Sequence, residues 1–277
     1  MNQRPDYPAR APWSIETIPY HLLSPAALAE DRELFYLVAS ASFLEITTDV
    51  YTRNLVQFFE GDREVVDWLK GQWEREELQH GAALRRYVET AWPDFPWEEA
   101  YRRFHAEFMQ FCAIEQLEPT RGQEMAARCV VETGTAAFYR TLAAVSPEPV
   151  LRQIASLIAS DEVRHYKHFY RYFSRYRASE RLSRGHVLKT LWTRVFEVDD
   201  EDALYAFKHV FIAANPGVTF RLADYRAFRR SVRKRGRASF PAAMATRMLV
   251  KPLGLGATLG RIVLPAMTAA TRLLMMA

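Results

Sequence analysis

Ala159-Ser160-Asp161-Glu162-Val163-Arg164-His165 lies inside a long segment whose apolar residues recur at helical spacing. Residues three apart on a helix share a face, so Glu162 and His165 project together. A second pair of this kind, Glu77-Leu78-Gln79-His80, sits in another helical segment. A single E-x-x-H proves little, because charged residues at helical spacing usually make a solvated face. Here the neighbours on the same stripe are apolar: Leu151, Ala155, Ile158 and Phe169 beside the first pair, and Trp73, Leu84 and Tyr87 beside the second.

Two further helical segments each carry one glutamate on such a stripe. Glu45 aligns with Leu37, Val38, Ala41, Thr48 and Thr52, and Glu132 aligns with Met125, Cys129, Thr135, Ala136 and Tyr139. The order along the chain is therefore E, E-x-x-H, E, E-x-x-H, with steps of 32, 55 and 30 residues. Short outer steps fit antiparallel hairpins, and a long middle step fits the single crossover of a ferritin-like four-helix bundle. Helices are expected over 31–60, 63–90, 96–117, 121–145 and 146–176, then over 186–198, 200–213 and 219–235. No period-two alternation bounded by hairpin turns occurs, so the fold class is all-α.

A glutamate on the buried stripe of a bundle costs several kcal/mol unless it is paired or metal-bound. An internal salt-bridge network is the competing explanation, and four glutamates with two histidines at +3 are hard to satisfy that way. Oxygen-rich ligation with two imidazoles suits iron, or manganese, better than structural zinc. Glu45, Glu77, His80, Glu132, Glu162 and His165 are the expected ligands of two metal ions. Asp49, one turn after Glu45, is an alternative to it, and Glu74 and Glu76 are weaker alternatives to Glu77. Thr135, one turn after Glu132, has two readings: a proton donor in O2 activation or a backbone-bonded helix threonine. Asp161 is placed to orient a ligand histidine or to stand as a solvated charge.

Composition sets the bounds. The chain has 277 residues, 49% hydrophobic and 25% charged, enough for one large domain with an appendage. Cys112 and Cys129 make no disulfide framework, which points to a reducing cytosol. Residues 1–23 read as an extended arm, with no apolar signal-peptide core, and 24–216 as the metal-binding domain. Residues 217–277 form a basic, partly apolar extension with twelve Lys/Arg against one acid, Asp224; the remainder has 25 bases and 32 acids. The dense run Arg226 to Arg237 fits an acidic partner or, with the apolar segment 239–277, peripheral contact with a membrane through 226–277. A solvated helix face is the plainer alternative. No nucleic-acid recognition motif accompanies the charge, and Gly254-Leu255-Gly256 follows no strand and is no dinucleotide fingerprint.

The motifs resemble those of the soluble acyl-carrier-protein desaturases. Glu76-Glu77-Leu78-Gln79-His80-Gly81 is similar to that family's E-E-x-x-H-G, Asp161 to His165 to its D-E-x-R-H, and Glu132 with Thr135 to its third-helix glutamate and threonine. The likeness covers roughly residues 30–180. It implies a homodimer with two irons beside an acyl channel, a ferredoxin-type electron donor, and O2-dependent desaturation of a chain carried by acyl carrier protein or otherwise activated. A related oxygenase that hydroxylates or N-oxygenates a small molecule, and a non-enzymatic iron-binding protein, are the alternatives.

Overall fold

The computed structural model describes residues 13–112, 114–197 and 201–276. Their regular structure is entirely helical, with no strand among them. In order the helices are α1 Pro25–Leu28, α2 Arg32–Ile46, α3 Thr48–Phe58, α4 Arg63–Trp68, α5 Glu74–Ala91, α6 Trp97–Phe108 and α7 Arg121–Val145. They continue as α8 Pro149–Ser179, α9 Arg184–Glu197, α10 Glu201–Ala214, α11 Leu222–Gly236, α12 Ala242–Val250 and α13 Ala257–Met276.

Two antiparallel pairs make the centre. In the first, Gly81 of α5 meets Ile46 of α2, while Trp92, just past α5, meets Phe35. A Cβ at Gly81 would lie 2.7 Å from the Ile46 backbone nitrogen, so only glycine lets the two backbones come this close. In the second, Gly122 at the start of α7 bonds Glu180 just past α8, while Thr135 bonds Glu162 midway. α5 packs against α8, which joins the pairs. The crossover from α5 to α7 carries α6.

The helix boundaries follow local chemistry. Asp31 caps α2, Asp62 caps α4 and Thr120 caps α7 through side-chain oxygens that accept first-turn N–H groups. Gly61 takes φ 90° to turn the chain between α3 and α4. Ser146 and Glu148 bracket the α7–α8 turn, and Glu148 accepts from the Val150 and Leu151 amides.

Two expected helices are corrected, and a third is borne out with one irregular turn. The helix expected over 31–60 is broken at Thr47, whose hydroxyl bonds back to the Phe43 carbonyl at 2.7 Å; the run Ile46-Thr47-Thr48 is β-branched and weak in helix propensity. The segment 63–90 is helical along its length but contains a π-helical turn, Leu69–Trp73. The helix over 96–117 ends at Phe108, and short 3-10 turns follow. The N-terminal arm expected over 1–23 lies outside the described residues up to residue 12; residues 13–23 lie against the body, where the buried Tyr20 hydroxyl bonds the Ala83 carbonyl.

Two apolar clusters fill the interior. One gathers Val38, Phe43, Leu84, Tyr87, Tyr139, Ile154 and Ile158; the other gathers Leu55, Leu69, Trp73, Met125, Cys129, Phe169 and Phe173. Glu45, Glu77, His80, Glu132, Glu162 and His165 occupy the seam between them. Around this centre α10 packs on α2 and α6, α9 and α12 on α7, and α11 on α2 and α7, while α13 rests on α12. No helix among the described residues is long and apolar enough to cross a membrane.

Candidate metal centre

Glu45 comes from the last turn of α2, Glu77 and His80 from the start of α5, Glu132 from the middle of α7, and Glu162 and His165 from the middle of α8. All six are buried. Their donor atoms form two overlapping groups, Glu45–Glu77–His80–Glu162 and Glu77–Glu132–Glu162–His165, each with its atoms within 4.8 Å of one another. Glu77 and Glu162 belong to both groups. Glu45 with His80 closes one side, and Glu132 with His165 closes the other.

His80 Nδ1 lies 3.7 Å from Glu45, 3.6 Å from Glu77 and 3.3 Å from Glu162. His165 Nδ1 lies 3.0 Å from Glu77 and 3.5 Å from Glu132. Despite these distances, His80 Nδ1, His165 Nδ1, Glu132 Oε2 and Glu162 Oε1 make no hydrogen bond and are sealed from solvent. An orphaned buried polar atom costs about 1–3 kcal/mol. Four of them converging on one seam fit a cation, and the cluster can hold metal. Four carboxylates with two neutral imidazoles also carry the charge that two divalent ions would cancel.

The electrostatics reflect crowding of like charge. Burial, then the neighbouring Glu162, push the Glu132 carboxyl well above its ordinary value. Burial lifts Glu45 to about 7, against the pull of His80. Burial acts on Glu77 in the same sense, but the two imidazoles beside it, His165 and then His80, override it and hold the carboxyl low. Burial disfavours charge on both imidazoles, and the surrounding carboxylates outweigh it and raise both.

An outer ring holds the histidines. Asp161 accepts from His80 Nε2 at 3.1 Å, and Glu76 meets His165 Nε2 at 2.7 Å. The acid that precedes each inner glutamate therefore braces the histidine of the opposite helix, leaving each Nδ1 turned inward. Arg164 ties the two braces together, at 2.5 Å from Asp161 and 3.1 Å from Glu76. The Trp13 indole donates to Asp161 at 2.7 Å and lies parallel to the His80 ring. The Trp73 indole donates to Glu132 at 3.2 Å, and the Tyr139 hydroxyl donates to Glu45.

Of the alternatives, Asp49 is half-buried, belongs to neither group and bears electrostatically on Tyr101 instead. The break at Thr47 turns it away from the stripe of Glu45. Glu76 is a brace rather than a ligand. The Thr135 hydroxyl is 2.6 Å from Glu162 Oε2 and also within reach of the Val131 and Glu132 carbonyls, at 3.2 and 3.3 Å. It thus contacts the cluster and its own helix at once. Tyr139 and Trp73 stood on the inner stripes, but their partners had no sequence signature. Trp13, 148 residues from Asp161, had no signal at all.

No family model, no curated protein and no solved structure matches the chain.

Proposed function

We propose that the chain is a ferritin-like di-iron oxidoreductase that uses O2 to introduce a double bond into an activated acyl chain. The pair of overlapping buried groups sharing Glu77 and Glu162 carries this reading. Glu45, Glu77, His80, Glu132, Glu162 and His165 would hold two irons, and the oxygen-rich set also accommodates manganese. Bound iron would supply the reversible electron transfer and O2 reduction that no side chain provides.

The chain's own groups prepare that chemistry. Asp161 and Glu76 hold the outer Nε2 atoms, so both Nδ1 atoms face inward, where they would ligate metal as neutral imidazoles. The two apolar clusters exclude bulk water from the seam, which strengthens every charge interaction inside it. Thr135 holds a proton at Oγ1 beside Glu162, between the buried carboxylate and the half-exposed surface of α7.

The choice of an acyl substrate rests on the resemblance of Glu76 to Gly81 and Asp161 to His165 to the desaturase motifs. It brings with it acyl carrier protein, a ferredoxin-type electron donor and a homodimer. Exposed Arg226, Arg230, Arg233 and Lys234 on α11 offer an acidic carrier or donor a surface. A cytosolic setting accords with Cys112 and Cys129 both being free thiols.

The test is anaerobic loading with ferrous iron, metal analysis, then reduction and exposure to O2 with acyl-carrier-protein substrates. About two irons per chain and an unsaturated product by mass spectrometry are expected. His165→Ala should bind fewer irons and lose turnover by at least about a hundredfold. A hydroxylated product would replace the desaturase with the related oxygenase, and a chain that binds neither iron nor manganese would end the metal reading altogether.

A further inference from the structure

α13 is held at a defined place but covered on one side only. The turn before it is closed by Arg177 and Arg184, which donate to the Pro252 carbonyl at 2.7 Å and the Gly254 carbonyl at 2.9 Å. Gly254 takes φ 61° there. The helix then runs back along α12, where Thr271 and Thr246 meet at 3.3 Å. Val263, Leu264, Thr268 and Thr271 are partly covered on that side.

The opposite side is apolar and open. Leu259, Ile262, Ala266, Ala269 and Leu273 alternate by three and four residues, so they form one stripe. Ile262 is 68% exposed and Leu273 66%. Arg261 and Arg272 stand exposed on one flank of the stripe, eleven residues and so about three turns apart. Arg247 and Lys251, also exposed, lie on the adjoining segment. The chain has no Asp or Glu after Asp224, so no acid on α12 or α13 offsets these cations.

We infer that α13 is a docking helix for the surface of an anionic phospholipid bilayer. An apolar stripe flanked by arginines matches an interface that is hydrocarbon below and negatively charged above. A second copy placed stripe to stripe would set Arg261 and Arg272 against like charge with no acid on either helix to pair them. An acidic peptide would satisfy the guanidinium groups but leave Ile262 and Leu273 in water. The helix lies in the interface plane and does not cross it, in keeping with its exclusion as a span. The surface is separate from the buried Glu/His cluster and does not depend on what that cluster does.

Co-sedimentation of the full chain with vesicles tests this. Vesicles with about one-third phosphatidylglycerol in phosphatidylcholine should bind the chain at least about tenfold better than phosphatidylcholine alone, and added salt should weaken the binding. Ile262→Asp with Leu273→Asp should lower that binding about tenfold while helical content and metal content stay unchanged. Should the aspartates unfold the chain, Arg261→Gln with Arg272→Gln should remove the preference for anionic vesicles. Absence of binding to the anionic vesicles at low salt would overturn the inference. So would full binding by both double variants, or loss of binding only on substitution of the α11 arginines. A dimer in sedimentation velocity that the aspartates dissociate, without vesicle binding, would assign the stripe to a second copy instead.

Discussion

Glu124 and Glu132 lie eight residues apart on α7, both buried, on a helix that supplies walls to the same interior. Glu124 is closed. Arg128 donates to one of its oxygens at 2.7 Å and the Glu118 amide to the other at 2.9 Å, and no buried atom of the Glu124–Arg128 pair lacks a partner. Glu132 is open. Trp73 holds one oxygen, while the other faces Glu162 and His165 with no hydrogen bond. The protein satisfies both oxygens of the first acid from its own atoms and only one oxygen of the second. This difference separates a buried charge closed by its neighbours from one that can take a metal, and burial or residue type alone would not.

Metal removal probes the distinction most strongly. Chelation under anaerobic conditions should lower the melting temperature by about 10 °C, the size of shift expected when a ligand held far above its dissociation constant leaves a chain of this length. Calorimetry of the loaded and stripped protein would show it. Equal melting temperatures would mean that the seam is as closed as the Glu124 pair.

Substituting the two acids in the stripped protein comes next. Glu124→Ala should cost about 3 kcal/mol, because it leaves Arg128 buried without its partner. Glu132→Gln should be neutral or stabilising by about 1 kcal/mol, because it relieves crowding with Glu162. Burial tends to raise the Glu124 carboxyl, but Arg128 overcomes it and holds it low. Its contribution is complete above the ordinary glutamate pKa and fades as the pH falls through the lowered value. The wild type should therefore lose more stability in acid than Glu124→Ala, as denaturant titrations at descending pH would report.

The Glu132 side of this contrast is visible in the sequence, and the reason is spacing. The E-x-x-H pairs and the lone Glu45 and Glu132 fall on apolar stripes, and a helix makes that periodicity a statement about direction. Helix order, the crossover and the six inward residues follow from it. What the periodicity cannot carry is contact between distant segments. Glu76 looked like a weaker copy of Glu77, yet it braces a histidine 89 residues away. Thr47 breaks the first helix through one hydroxyl bond, and that removes Asp49 from the stripe. Nothing in the spacing of Glu124 and Arg128, four apart, shows that α7 is covered on that side too.

The braces supply a smaller effect of opposite handedness. Asp161→Asn should weaken metal binding mainly in the group with His80, and Glu76→Gln mainly in the group with His165, each by about ten- to a hundredfold. Anaerobic titration with ferrous iron would resolve the two steps. Because Arg164 bridges both braces, the double variant should lose less than the two single losses combined. Losses that simply combine would show that the two outer carboxylates act independently.

Thr135 belongs to both kinds of region, and its variant should show the smallest effect. Its bonds to the Val131 and Glu132 carbonyls are of the closed type that any helix threonine makes, while its bond to Glu162 reaches the open cluster. One hydroxyl proton cannot serve all three acceptors at once, and a carboxylate is the strongest of them. Thr135→Val keeps the shape and removes the proton. If the proposed di-iron function holds, it should retain both metals, shift stability by no more than about 1 kcal/mol, and slow the proposed turnover by about tenfold. Thr135→Ser should restore the rate, since it returns a hydroxyl to the same place. An unchanged rate in Thr135→Val would assign the hydroxyl to the helix alone, and the cluster would then take its protons by another route.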